Sequence, residues 1–442
     1  MSIFTIPCTS PQYSKRLSPN RTYIIPVLDI GSTKIVCMIG KFIPMDASNL
    51  LPGRTHRIEV VGIGCQKSRG VKMGAIVDLD AVEGVIRQVV DSAEHMAGLT
   101  IDNLIVNVSF GRLNSINHSV GMEIGWREIK KTDIQDLIRF SKRYSCEKSY
   151  NVLHSIVTNY SLDGKPGIHS PISMFGERLE MDVHMVTAEK SAIKNLEVAI
   201  NRAHLSVEGM VASPYASGLA SIVDDEFELG CIVIDMGGGT TKISIFENGK
   251  LVYLDMIAIG GCHVTNDLAR GLSISIDDAE RLKVVHANAI SSIVDENEIL
   301  SVPSIGDDEQ EDQVQVSRAM VSRIVRARVE ETLELITERA NKSGFGSISG
   351  KRVILTGGAS QLIGLQELVR RMISPNVRIG RPMGVSGLPF PAKGTSFSTV
   401  VGLMVYPQLA SKEIDYIGDY SSFYGLNKSK IPFLGKWLQS AF

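Results

Sequence analysis

Asp29-Ile30-Gly31-Ser32-Thr33-Lys34 and, much later in the chain, Asp235-Met236-Gly237-Gly238-Gly239-Thr240-Thr241-Lys242 decide the fold. Apolar runs precede them (23–28 and 231–234), and strand-like runs come after (35–39 and 243–246). Each unit reads as strand, tight polar turn, returning strand. Glycine lets the backbone approach a phosphate closely, and successive N–H groups form an anion cradle. Ser32, Thr33, Thr240 and Thr241 add hydroxyl donors. Asp29 and Asp235 repel phosphate, so their chemical sense is to hold a divalent cation, directly or through water. A third glycine turn, Thr356-Gly357-Gly358-Ala359-Ser360, comes after the short strand 352–355. A plain hairpin accounts for most single Asp-x-Gly turns. Two of them between strands, with a Gly-Gly turn after them, predict duplicated domains facing each other across a nucleotide cleft. No GxxxxGK[ST] is present, so this is not a Walker-type P-loop.

Composition narrows the function classes. With 44% hydrophobic and 21% charged residues, the 442-residue chain has the makeup of a soluble globular protein of two to four domains. The net charge of -2 supplies no global basic field, which argues against nucleic acid as a partner. None of the six cysteines (8, 37, 65, 146, 231, 262) sits at a metal-ligand spacing, so they read as small core residues in a reducing compartment. No secretory h-region comes after Met1, and the longest apolar runs fall far short of the ~20 residues that span a bilayer. The expectation is a cytoplasmic protein whose membrane contact, if any, is peripheral.

Along the chain, 1–22 reads as a disordered tail. The stretch 80–96 has helical spacing, with Val82, Val85, Ile86, Val89, Val90 and Ala93 on one face. From 110 to 183 the character changes, which predicts an inserted subdomain. A capping box at Thr132–Gln135 opens a helix there, and 152–160 and 178–186 read as strands, the second with one wet face. Helices are expected at 191–204, 277–289 and 314–341, and as a last core element at 396–409. The acidic run 306–312 reads as a loop, and 411–429 as a polar linker.

These motifs resemble the actin, Hsp70 and sugar-kinase superfamily. Asp29–Lys34 looks like its first phosphate motif, Asp235–Thr241 its second and Leu355–Ser360 its adenosine motif. Glu280 and Lys283, three apart on a helix, resemble the pair placed around ribose and adenine; a surface i,i+3 ion pair is the plainer reading. Val61–Gly64, Ser68–Gly70, Val77–Leu79, Ile257–Asp267 and Asp278–Lys283 together narrow the resemblance to the FtsA family of bacterial division proteins.

That resemblance implies an α/β, actin-like (ribonuclease H-like) two-domain fold with a nucleotide cleft and an inserted 1C-type subdomain. It divides the chain into subdomain 1A (23–109 and 184–212), 1C (110–183), 2A (213–273 and 346–395), 2B (274–345), a core helix on 1A (396–410), a linker (411–429) and a terminal amphipathic helix (430–442). It implies ATP and Mg²⁺ as ligands. ATP would contact Asp29, Gly31, Ser32, Thr33, Lys34, Gly237, Gly238, Gly239, Thr240, Thr241, Glu280, Lys283, Gly357, Gly358 and Ala359. Asp29 and Asp235 would hold the metal through water. It further implies self-association through 1A, 1C, 2A and 2B surfaces, later division proteins at 1C, and the acidic C-terminal peptide of FtsZ at 2B. Arg323 and Arg328 are the candidate residues for that peptide, with a solvated, ion-paired helix face as the bland alternative.

One departure bears on catalysis. Hydrolytic relatives carry Glu-Pro where this chain has Ser213-Pro214, and serine is a poor group for orienting or deprotonating water. Weak or absent ATPase activity is expected, with Asp235 acting at most indirectly through Mg²⁺. In 430–442, Leu434, Trp437, Leu438, Ala441 and Phe442 form one apolar stripe, with Lys436 beside it. Leu434, Lys436, Trp437, Leu438 and Phe442 are therefore expected at a membrane surface. The whole reading is an ATP-binding, polymerising tether of FtsZ filaments, peripheral on the cytoplasmic face of the inner membrane at the septum. A small-molecule kinase of the same superfamily is the alternative enzyme, and a PilM-like assembly scaffold the alternative non-enzyme.

Overall fold

The computed structural model describes residues 17–45, 54–109, 113–143, 149–290, 297–303, 313–345 and 350–417. The acidic run 306–312 and the terminal stripe 430–442 lie outside them.

Two five-stranded sheets carry the same plan. In the first, Tyr23–Ile30, Lys34–Pro44 and His56–Lys67 form an antiparallel meander, and Asn103–Val108 then Ser206–Ala212 add in parallel on the other side of Tyr23–Ile30. In the second, Cys231–Met236, Thr241–Glu247 and Lys250–Ile257 form the meander, with Val353–Thr356 and Val377–Ile379 in parallel. The central strands, nearly all buried, read as unbroken apolar runs because helices cover them. Helix Leu79–Ala97 covers the first sheet with the six apolar residues the spacing named; Asp78 caps it by accepting from the Asp80 and Ala81 N–H groups.

The insert is a four-stranded sheet with one helix, Lys131–Arg143. Strands Asn114–Glu128, Tyr150–Leu162 and Phe175–Glu189 enclose a small core of its own around Leu137, Tyr160 and Met181. The inner ends of the long strands continue into the first domain, whose core includes Leu153, Ile156, Val186 and Ala188. The wet face expected for 178–186 therefore ends at His184. That imidazole is fully buried, bonded to Ser115 and the Leu251 carbonyl, and burial pushes its pKa down to about 3.

Helix boundaries differ from expectation most at 313–317 and 411–417. Residues 313–317 form a strand, Gln313–Ser317, paired with Ile299–Pro303; the helix begins at Arg318, where Ser317 caps it. Alternation of Val314 and Val316 outweighs the helical character of the residues C-terminal to them. The last helix is Ser398–Ile417, so the first seven residues of the expected linker are helical. Glu413 is buried there, bonded to Nδ1 of His154 on an insert strand. Nε2 of the same ring accepts from the Ala212 N–H, which assigns the proton to Nδ1.

This last helix packs backbone to backbone on Ser213–Ser221. A Cβ on Gly402 would overlap the Ala216 carbonyl. Gly402→Val is expected to lower stability by about 3 kcal/mol, the upper end of overpacking costs. Denaturant midpoints check it, and an unmoved midpoint would refute this packing.

Candidate functional site

The two turns are built alike. Asp29 and Asp235 are the next-to-last residues of the central strands, and each turn is closed by a glycine N–H donating to the carbonyl three residues on, Gly31 to Lys34 (3.1 Å) and Gly237 to Thr240 (2.9 Å). By this register Lys34 corresponds to Thr240, not to Lys242. Lys242 instead sits across the ladder from Asp235, with Nζ 3.5 Å from its carboxylate and both side chains buried.

The turns meet face to face. A Cβ on Gly238 would collide with Thr33, and one on Gly239 with the Ser32 hydroxyl. Thus the two glycines exist where the opposite turn approaches most closely. The hairpin Val71–Lys72/Ala75–Ile76 closes the same junction. Its Gly74 N–H donates to Ser32 Oγ (2.8 Å), and Met73 lies against Gly239. In the sequence this neighbourhood serves only as a family mark.

Asp29 is buried, and that burial pushes its carboxyl up to about 6. Lys242 and Lys34 oppose the shift, while the charge of Asp235 adds to it. A buried carboxylate with the negative charge of a second one near it fits a divalent cation, which would offset the cost of burying that charge. Among the described residues, no three His, Cys, Asp or Glu side chains gather at ligand spacing. A cation here would therefore draw its other ligands from water and phosphate.

The adenosine side also converges. Gly357, at φ 86°, leaves no room for a side chain between itself and Asp235. Gly358 is beside Ser396, and Ala359 beside Gly261 at the start of helix Gly261–Leu272. Lys283 Nζ donates to Glu280 (2.6 Å), Thr265 (2.8 Å) and the Gly261 carbonyl (3.2 Å). Glu280 and Lys283 are thus an ion pair, as the plain reading has it, yet one placed at the cleft.

Three expected contacts lie elsewhere or are already engaged. Thr241 is fully buried and gives its hydroxyl proton to Ile259, turned away from the cleft. Lys34 donates to Ser396 (3.1 Å) and lies 3.2 Å over the Phe397 ring, with burial lowering its pKa. It contacts the segment that begins the last helix. Arg328 is held by Asp267 and Glu331, which keep its pKa up, whereas Arg323 on the same helix is exposed. An open groove of about 1030 Å³ lies behind the adenosine turn, lined by Ser360, Leu388, Phe390 and Lys393; neither phosphate turn borders it.

Ser213 is fully buried. It donates to the Val108 carbonyl (3.1 Å) and joins Ser109 and Asn107, and Asn107 reaches Asp29 (2.6 Å). Asn107 sits in strand Asn103–Val108, which reads as a short buried strand, and Ser109 comes directly after it, so no local signal marked them.

The chain resembles known proteins. A family model described as Cell division protein FtsA matches residues 232–402, and one described as the SHS2 domain inserted in FtsA matches 110–187. The chain is 58% identical over 429 residues to Cell division protein FtsA of Agrobacterium fabrum, covering 97% of each. It is 30% identical over 387 residues to that of Escherichia coli, covering 86% of this chain and 89% of the relative. Among solved structures, a PilM-PilN type IV pilus biogenesis complex matches with a TM-score of 0.57 at 14% identity, covering 87% of this chain and 98% of that one. The fold is actin-like with an SHS2 insertion.

Proposed function

We propose a function from one premise: the chain belongs to the FtsA family of cell division proteins. Its role is in division. Within that role it binds ATP with Mg²⁺, polymerises, and tethers FtsZ filaments to the cytoplasmic membrane at the septum. The observation that carries the nucleotide part is the direct apposition of Gly238 and Gly239 to Thr33 and Ser32. A ligand bridging the two turns ties the domains together and biases the chain toward one closed state. Asp29 and Asp235 would hold Mg²⁺, which neutralises phosphate charge when bound.

Hydrolysis is slow or absent in this reading, because Ser213 offers no carboxylate to orient water and is buried among Val108, Ser109 and Asn107. The terminal segment 430–442 supplies the membrane contact. That contact is weak for one copy and multiplied by polymerisation. No described helix is long and apolar enough to cross a membrane, which suits a peripheral anchor. FtsZ binds subdomain 2B through its acidic C-terminal peptide, and other division proteins bind the insert.

Anionic vesicles with this chain, ATP and Mg²⁺ should recruit FtsZ filaments, and omission of the chain should leave FtsZ in the supernatant. Arg323→Glu is expected to cut that recruitment at least fivefold. Recruitment unaffected by omission would end the tether reading.

A further inference from the structure

Asn107 is a fully buried amide in the middle of an apolar strand, between Leu104, Ile105, Val106 and Val108. Such a residue costs stability unless its groups are bonded. Here Oδ1 accepts the Ile30 N–H (2.8 Å), and Nδ2 faces Asp29 Oδ1 (2.6 Å), Ser109 Oγ (2.9 Å) and Ser213 Oγ (3.1 Å). The amide orientation is set by these partners. Flipped, it would place an oxygen against the Asp29 carboxylate and an NH₂ against the Ile30 N–H. The Asn107 NH₂ can only donate, so Ser213 Oγ meets it as an acceptor while bonding also to the Val108 carbonyl and Ser109.

We propose that Asn107 is the positioning residue of the cleft: it turns one oxygen of Asp29 into the domain and leaves the other for the cation, with Ser213 and Ser109 bracing Asn107. This rests on the nucleotide reading above and adds the group that aims Asp29. A donor held on Oδ1 fixes the rotation of the Asp29 carboxylate, so that Oδ2 would be the oxygen presented to an ion or its water.

The test measures binding of a fluorescent ATP analogue to the full chain, once with Mg²⁺ and once with EDTA. Asn107→Ala is expected to weaken binding at least ~10-fold with Mg²⁺, about 1.4 kcal/mol, and less than ~3-fold with EDTA. Ser213→Ala, a smaller change, should move the same ratio ~3-fold in the same direction. A purely structural role for Asn107 would lower the thermal midpoint of the nucleotide-free chain and weaken binding equally in both buffers, which overturns the proposal. Full retention in both buffers overturns it too. Should Asn107→Ala fail to fold, Ser213→Ala and Ser109→Ala decide by the same ratio. A wild-type chain that binds the analogue equally with Mg²⁺ and EDTA removes the metal reading itself, and the proposal with it; a wild-type ratio that the variants leave unmoved removes the proposal alone.

Discussion

Asp235→Ala should abolish Mg²⁺-dependent ATP binding, an expected loss of at least ~100-fold in affinity, of the size set by removing a metal-holding carboxylate from a buried site. Asp235 is the next-to-last residue of the central strand of the second domain, beside Gly357 and opposite Lys242. No other carboxylate in the second turn, 235–242, substitutes for it. The substitution also strips the buried Lys242 ammonium of its partner, which costs about 3–5 kcal/mol. A collapse of the fold would mimic a lost ligand, so Asp235→Asn is the companion. It keeps the shape and a polar atom near Lys242 while losing the charge that attracts the cation. Both variants are expected to lose the response to Mg²⁺, and the asparagine form to unfold closer to the wild-type temperature. Unchanged affinity in either would refute the assignment of Asp235.

The second large effect concerns the chain beyond its last described helix. A truncation ending at Ser429 should leave anionic vesicles in co-sedimentation, while the full chain pellets with them. Leu434, Trp437, Leu438 and Phe442 make one apolar stripe, and Lys430 and Lys436 add charge that anionic lipid attracts. Raising the salt should weaken pelleting of the full chain, since screening removes the lysine contribution but leaves the apolar one. Equal pelleting of both proteins would sink the anchor and favour an assembly scaffold that needs no lipid.

Local chemistry is legible in the sequence wherever neighbours in the chain decide it. Val82 to Ala93 recur at helical spacing and form one buried face of Leu79–Ala97, because that spacing is itself the face. The two Asp-x-Gly turns are legible for the same reason. Each is a short closed loop whose geometry its own glycine sets. What depends on partners far along the chain is not. Asn107 sits in a core strand and gains meaning only from Asp29 and Ser213. Glu413 looks like a linker residue until His154 is placed beside it. Strand Asn114–Glu128 gives no clear signal because glycines and charges interrupt its alternation, and pairing with Phe175–Glu189 makes the strand.

Helix Ser398–Ile417 starts where Thr395 is bonded to Gly357, runs through the first domain, and carries Glu413 against the insert near its far end. Twenty helical residues make a rod of about 30 Å. It is seated at three stations: on the Gly357 turn through Thr395, on Ala216 through Gly402, and on His154 through Glu413. One rod thereby fastens the third glycine turn, the first domain and the insert to one another, so that none of the three shifts without straining the seats of the other two.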